Sequence, residues 1–411
     1  MNAAAHILQR LNALAACTEQ PGEITRRFLT PAHAESITLV RAWMEEVGLA
    51  TQLDASGTLV GVRPGPTADA PALLLGSHID TVRNAGRFDG CLGVAMAIEA
   101  AGALRHHTLP YTLEIRAFGD EEGVRFPVTL TGAKATAGQF NPSALDATDA
   151  DGSTLRQALE NFGLDPAALL AGACTARNAV AYLEVHIEQG PMLEAANTPL
   201  GIVTAINGAA RFTVSVTGRA GHAGTVPMHA RQDALAAASA MILAVRDTGR
   251  ATPHLVATVG TISVGPGAIN VIPGACSFTI DLRAPDDSVR ATAEQIIRKT
   301  LQAIAEAEKV TVDLTKTHEA PATQCDDRLQ THVAQALAAH HLPTLHLPSG
   351  AGHDAMAIAA LCPVAMLFVR CTGGISHHPD ECVTEPDIQA ALDVLIHALK
   401  TFTPQTLDQL P

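Results

Sequence analysis

The spacing of hydrophobic and polar positions changes several times along the chain, and each change predicts an element. HILQRLNAL and ESITLVRAWMEEVGL carry apolar residues at helical spacing, and Gly48 is a plausible stop for the second. TLVGVRP and ALLLGSH then read as strands, followed by VAMAIEAAGAL (Val94 to Leu104), an apolar helix packed behind the next loop. TLEIRAFG alternates as a strand does, and AYLEVHIEQGP (Ala181 to Pro191) is another strand. Period 2 puts Glu184, His186 and Glu188 on one face of it, with Gln189 at its end. Trp43, the only tryptophan, is expected in the core.

Near Gly208 the pattern switches. RFTVSVTGRAGHAGTVP is a strand and a glycine-rich turn, and QDALAAASAMILAVRD a long helix. LVATVGTISV and CSFTIDLRA read as strands, and ATAEQIIRKTLQAIAEAEK as a second helix. This order predicts a smaller α+β module with an antiparallel sheet at residues 209–322. It would be inserted into a mixed-sheet α/β domain built from residues 1–208 and 323–411. After the insert come the helix LQTHVAQALAAHH, the loop PSGAGHDAM, the strand PVAMLFV, the loop GGISHHPDE and a final helix.

Composition narrows the class. With 411 residues, 47% of them apolar and 17% charged, the chain reads as an ordinary globular protein of two domains. A formal charge of −14 argues against nucleic acid or an anionic membrane as partner. No apolar run approaches the roughly 20 residues of a membrane span, which predicts a soluble protein. Eight cysteines without a C-x-x-C pair fit a reducing cytoplasm better than a disulfide framework or a zinc ribbon.

The stretch GSHIDTVRNAGRFDG (Gly76 to Gly90) supplies His78, Asp80 and Asp89, and its glycines let the backbone bend back on itself. Imidazole together with carboxylate suits a divalent cation such as Zn²⁺, Mn²⁺, Co²⁺ or Ni²⁺. Partners recur at later strand ends: Asp120, Glu121 and Glu122 after TLEIRAFG, His186 in EVHIEQG, and His377 in GGISHHPDE. Loops at the carboxyl ends of strands converge on one crevice in an open α/β sheet. His78, Asp89, Glu122, His186 and His377, with one carboxylate shared, would hold two metal ions there, an arrangement suited to hydrolysis. His377 is chosen over His378, since sequence neighbours do not easily point into one site. In the insert, Arg283 offers a bidentate fork for a carboxylate, and Asn270 and His222 can orient an amide or stabilise an oxyanion. Rival readings are weaker. SGAGHDA lacks the acidic residue a dinucleotide site needs about 20 positions on, and no G-x-S-x-G elbow is present. Cys91 lies among carboxylates that disfavour a thiolate.

GSHIDTVRNAGRFDG, FGDEEGVRF, EVHIEQGP, GHAGTVPM, NVIPG, DLR, SGAGHDAM and GGISHHP together resemble the hydantoinase/carbamoylase branch of the M20 metallopeptidase-like amidohydrolases. The resemblance implies a dinuclear-metal hydrolase of N-carbamoyl (ureido) groups with a lid and dimerisation domain. It implies that His78 and His186 bind one ion and Glu122 and His377 the other, with Asp89 bridging and Asp80 orienting the His78 ring. Glu121 would be the general base acting on a metal-bridging water. Gln189, Arg211, His222, Asn270 and Arg283 would bind a small ureido-carboxylate substrate. The lid histidine, His222, would reach the partner subunit of a homodimer. Within the branch, FGDEEGVRF and MLFVRCTGGISHHP look most like allantoate amidohydrolases. Arg370–Cys371 departs from the Pro–Ser common in carbamoylases, which weighs against a carbamoyl-amino-acid substrate. An aminoacylase or peptidase is the more distant alternative, disfavoured by His186, where related peptidases usually present an acid.

Overall fold

Three strand segments are buried along nearly their whole length: Ala72–His78, Ala179–Ile187 and Val364–Val369. A strand that buries both faces must lie inside a sheet covered by helices, which is the setting of parallel strands. The computed structural model, which describes residues 2–405, places them that way. Residues 1 and 406–411, the outer ends of the two expected catalytic segments, lie outside the described residues.

In chain order the first strands are β1 (Ala50–Leu53), β2 (Leu59–Arg63), β3 (Ala72–His78), β4 (Thr112–Phe118), β5 (Ala179–Ile187) and β6 (Leu200–Ile206). Then come β7 (Gly208–Thr217), β8 (Gly221–His222), β9 (Val256–Thr258), β10 (Ile262–Gly265), β11 (Val271–Ile272), β12 (Ala275–Ala284) and β13 (Thr311–Ala320). The chain finishes with β14 (Thr323–Gln324), β15 (His346–Ser349) and β16 (Val364–Val369). The described residues form two compact units, residues 2–204 with 325–347 and 351–405, and residues 205–324 with 348–350.

The large sheet runs β1-β2-β4-β3-β5-β16-β6-β14, with β15 also on β6. Its centre, β4-β3-β5-β16, is parallel, and β2 and β6 flank it antiparallel. The chain leaves β3 through the buried helix Cys91–Ala103, adds β4 on one side, and returns to add β5 on the other. Such a reversal of strand order opens a crevice at the carboxyl ends of the strands. Trp43 is not in the interior: it is half-buried at the edge of the core, with the Arg10 guanidinium 5.6 Å from its ring centre. Residues 131–171 form three short α-helices and one 3-10 helix around Phe28, Phe126, Leu155 and Leu159, too brief for helical periodicity to show in the sequence.

The second unit is the inserted α+β module. Its sheet runs β10-β12-β7-β13, with β9 also on β12, and every pairing is antiparallel. β7 and β12 alternate strictly, burying Phe212, Val214, Val216, Phe278, Ile280 and Leu282. That face packs against the helices Ala234–Ala251 and Asp287–Glu308, and the other face is open. LVATVGTISV, expected as one strand, is two: β9 and β10 pair with opposite halves of β12 and are separated at residues 259–261.

Candidate metal centre

Each expected donor of the first unit sits at the carboxyl end of a central strand or in the loop that follows. His78 ends β3, His186 is near the end of β5, Glu121 and Glu122 follow β4, and His377 lies in the loop after β16. Asp89 stands between them. Its Oδ1 is 3.5 Å from His78 Nε2 and 3.2 Å from His186 Nε2, while its Oδ2 is 3.3 Å from His377 Nε2. His377 Nε2 is also 3.6 Å from Glu122 Oε1. Two groups of donor atoms close enough to share an ion thus form around one carboxylate: His78, Asp89 and His186, buried, and Asp89, Glu122 and His377, more open. His377 and not His378 turns inward; the His378 ring accepts a bond from Asp380 N instead.

Backbone detail aims the imidazoles. His78 Nδ1 donates to the Asp80 carbonyl at 3.0 Å and His186 Nδ1 to the Ile187 carbonyl at 2.9 Å, which turns each Nε2 toward Asp89, where His186 Nε2 also meets the Gly90 amide at 3.2 Å. Gly90, at φ 64°, lies against His78; a Cβ there would come within 2.4 Å of its Nε2. The Asp80 carboxylate, expected to orient His78, lies 3.8 Å from Nδ1. It accepts the Glu121 and Glu122 amides at 3.2 and 3.3 Å, so it shapes the turn that carries both glutamates. The third acid of that run, Asp120, has φ 66° and turns away to accept from the Thr131 hydroxyl. That turn relieves the repulsion a D-E-E run would otherwise suffer.

Much negative charge is buried here. Burial, with help from neighbouring carboxylates, pushes Glu121 well above the usual range and Glu122 up to about 7, and burial likewise raises Asp80 and Asp354. Asp89 is the exception: burial would raise it, but bonds with His186, His377 and His78 hold it well below. The same bond raises His377 to about 9. A crowd of buried carboxylates faced by imidazole nitrogens is the donor set divalent cations satisfy, so the residues fit the implied metal ions.

Gln189, expected to bind substrate, donates from Nε2 to Asp89 Oδ2 at 2.8 Å and to Ser376 Oγ at 3.2 Å. Glu188 turns from the β5 face to cap the helical turn Met192–Ala195, accepting the Met192 and Leu193 amides. The inserted unit holds the other four expected substrate residues in two pairs. Arg211 and Arg283 share the Asp281 carboxylate at 3.0 and 2.9 Å, and Arg283 also donates to the Gly350 carbonyl. They border a cleft of about 640 Å³ that Thr258, Thr279 and Thr317 also line. His222, on β8, and Asn270 are exposed neighbours joined by the bond from Ala223 N to the Asn270 carbonyl.

Several site residues escaped sequence reasoning. Glu184 is fully buried beneath His186 and accepts from Ser77, Tyr182 and the Ala355 amide. His353, in the SGAGHDAM loop, packs its ring edge-on against His186, 4.5 Å between centres. Arg370, where the sequence departs from the carbamoylase Pro–Ser, pairs twice with Asp387, at 3.0 and 2.9 Å.

The model of Peptidase family M20/M25/M40 matches residues 74–401. The chain belongs to this family. Within it, the chain is 40% identical to allantoate deiminase 2 of Glycine max over 93% of this chain and 86% of the relative. It is 38% identical to an N-carbamoyl-L-amino acid amidohydrolase of Geobacillus stearothermophilus, covering 95% and 96%. Among solved M20-type structures, an amidase of the hydantoinase/carbamoylase family from Burkholderia multivorans superposes with a TM-score of 0.90 at 33% identity, covering 96% and 97%.

Proposed function

We propose that this chain is a metal-dependent amidohydrolase that cleaves a ureido C–N bond, with allantoate as its substrate. The observation that carries the reading is Asp89, whose two oxygens each face a separate set of imidazole and carboxylate donors, with Glu121 beside them. His78, His186 and Asp89 would hold one divalent ion, and Glu122, His377 and Asp89 the other; Mn²⁺ or Zn²⁺ suits this mixture. Such ions would polarise a carbonyl and lower the pKa of a water to about 7. Glu121 takes the proton of the attacking water and returns it to the leaving nitrogen, the two halves of general acid–base catalysis. Burial, with neighbouring carboxylates, raises its pKa, which makes its ionised form a stronger base.

Arg211 and Arg283 share one Asp281 carboxylate, so one unit of positive charge is left to meet a substrate carboxylate. His222 and Asn270 supply polar groups to the amide end, and the inserted unit serves as lid and dimer contact, giving a cytoplasmic homodimer. Allantoate carries one carboxylate and two ureido arms, and the 40% identity to a plant allantoate deiminase favours it. Near-complete coverage of a carbamoyl-amino-acid amidohydrolase at 38% supports the second reading, an N-carbamoyl-L-amino acid substrate. The test is ammonia release from the Mn²⁺-loaded protein, with kcat/KM compared for allantoate and N-carbamoyl-L-amino acids. Higher kcat/KM for allantoate is expected; preference for a carbamoyl amino acid would exchange the two readings, and inactivity on both would remove them.

A further inference from the structure

Glu381 stands four positions beyond His377 in the same loop and is only 3% exposed. Its Oε1 accepts two backbone amides of the Asp89 loop, Phe88 N at 2.7 Å and Asp89 N at 3.1 Å. Its Oε2 lies 3.2 Å from the Ser376 hydroxyl, and that hydroxyl is 2.8 Å from Asp89 Oδ2. The one hydroxyl proton can serve only one of the two carboxylates at a time, while the Gln189 amide fills its acceptor side. The Asp89 loop is wrapped closely about this side chain: a Cβ on Gly86 would come within 2.3 Å of Glu381 Cβ and 2.4 Å of Oε1.

The two halves of the metal centre are held differently. His78 and His186 belong to β3 and β5, whose ladders fix them. His377 lies on a loop, with φ 55° and half its side chain exposed. Beyond the loop's own turns, Glu381 and Ser376 tie it to Asp89. We propose that Glu381 is a positioning residue that clamps the Asp89 loop to the His377 loop and sets the geometry of the exposed half of the metal pair. This inference rests on the dinuclear reading of the centre.

Metal content after dialysis at a fixed free Mn²⁺ concentration, and the visible absorption of the Co²⁺-loaded protein, test it without recourse to activity. The wild type should hold two ions per subunit. E381A should keep the ion of the buried half but bind the other at least about ten-fold more weakly, the usual effect of losing an outer-sphere partner. E381Q keeps a carbonyl oxygen for the two amides and should hold both ions. G86A retains the Glu381 carboxylate but pushes the side chain out of position, and should mimic E381A, which keeps the test alive if E381A does not fold. Two ions at wild-type affinity in E381A and G86A, with an unchanged Co²⁺ spectrum, would overturn the proposal. Equal weakening of both ions, or an E381Q as impaired as E381A, would do the same. A wild type that binds no pair of ions removes the metal-centre reading itself, an outcome distinct from these.

Discussion

At the scale of single residues the site is organised by division of labour within one side chain. Asp89 gives one oxygen to the imidazoles of β3 and β5 and the other to His377, and Ser376 and Gln189 brace the second oxygen. Glu121 is grouped with His78 and Glu122 and holds no place in either donor set around Asp89. Glu121→Gln should therefore retain both ions, measured as metal per subunit, while kcat falls by about 10² or more, the usual contribution of a general base. Substantial turnover in that variant would remove the base assignment. The donor groups that gather around Asp89 were legible in the sequence because each is a chemically distinctive side chain in or soon after an apolar run. Ser376, Glu381 and Glu184 were not, because an ordinary serine or glutamate gains its meaning from a neighbour hundreds of positions away. Asp80 shows the limit from the other side: its place beside His78 was legible, but only the fold reveals that its carboxylate serves the Glu121–Glu122 amides.

At the scale of elements, burial pattern and chemistry agree. β3 and β16 read as apolar runs because both of their faces are buried, whereas β7 and β12 alternate because one face is open. That difference is what separates the two units in the sequence. The short helices of residues 131–171 leave no such trace; two of them start at local caps, the reciprocal Thr154–Gln157 pair and Asp165. The helix Glu385–Thr401 follows the His377 loop and begins at Thr384, whose hydroxyl accepts the Asp387 amide at 3.3 Å. Thr384→Ala should destabilise the protein by about 1 kcal/mol in denaturant unfolding. Its metal content should stay at the wild-type level, and an unchanged unfolding midpoint would show that the cap contributes nothing.

For the whole molecule, the centre is a fastener between segments far apart in the chain. Ions that bind the folded state alone add about 2.7 kcal/mol each when present at 100 times Kd. Chelation should accordingly lower the thermal midpoint, and restoring Mn²⁺ should return it; a midpoint indifferent to chelator would mean that the fold does not depend on the ions. Because Glu122 is raised to about 7 and His377 to about 9, protons compete with the ions, and affinity should fall as pH drops through that range.

The place of β16 has a consequence for how the chain is made. This strand comes late in the sequence, yet it fills the slot between β5 and β6 at the heart of the sheet. Until Val364–Val369 has left the ribosome, β5 has one edge without a neighbour and the His377 loop does not exist. An open apolar strand edge invites pairing with other chains. The nascent polypeptide is thus most vulnerable when most of it has already been synthesised, and the last segment both closes the sheet and completes the metal centre.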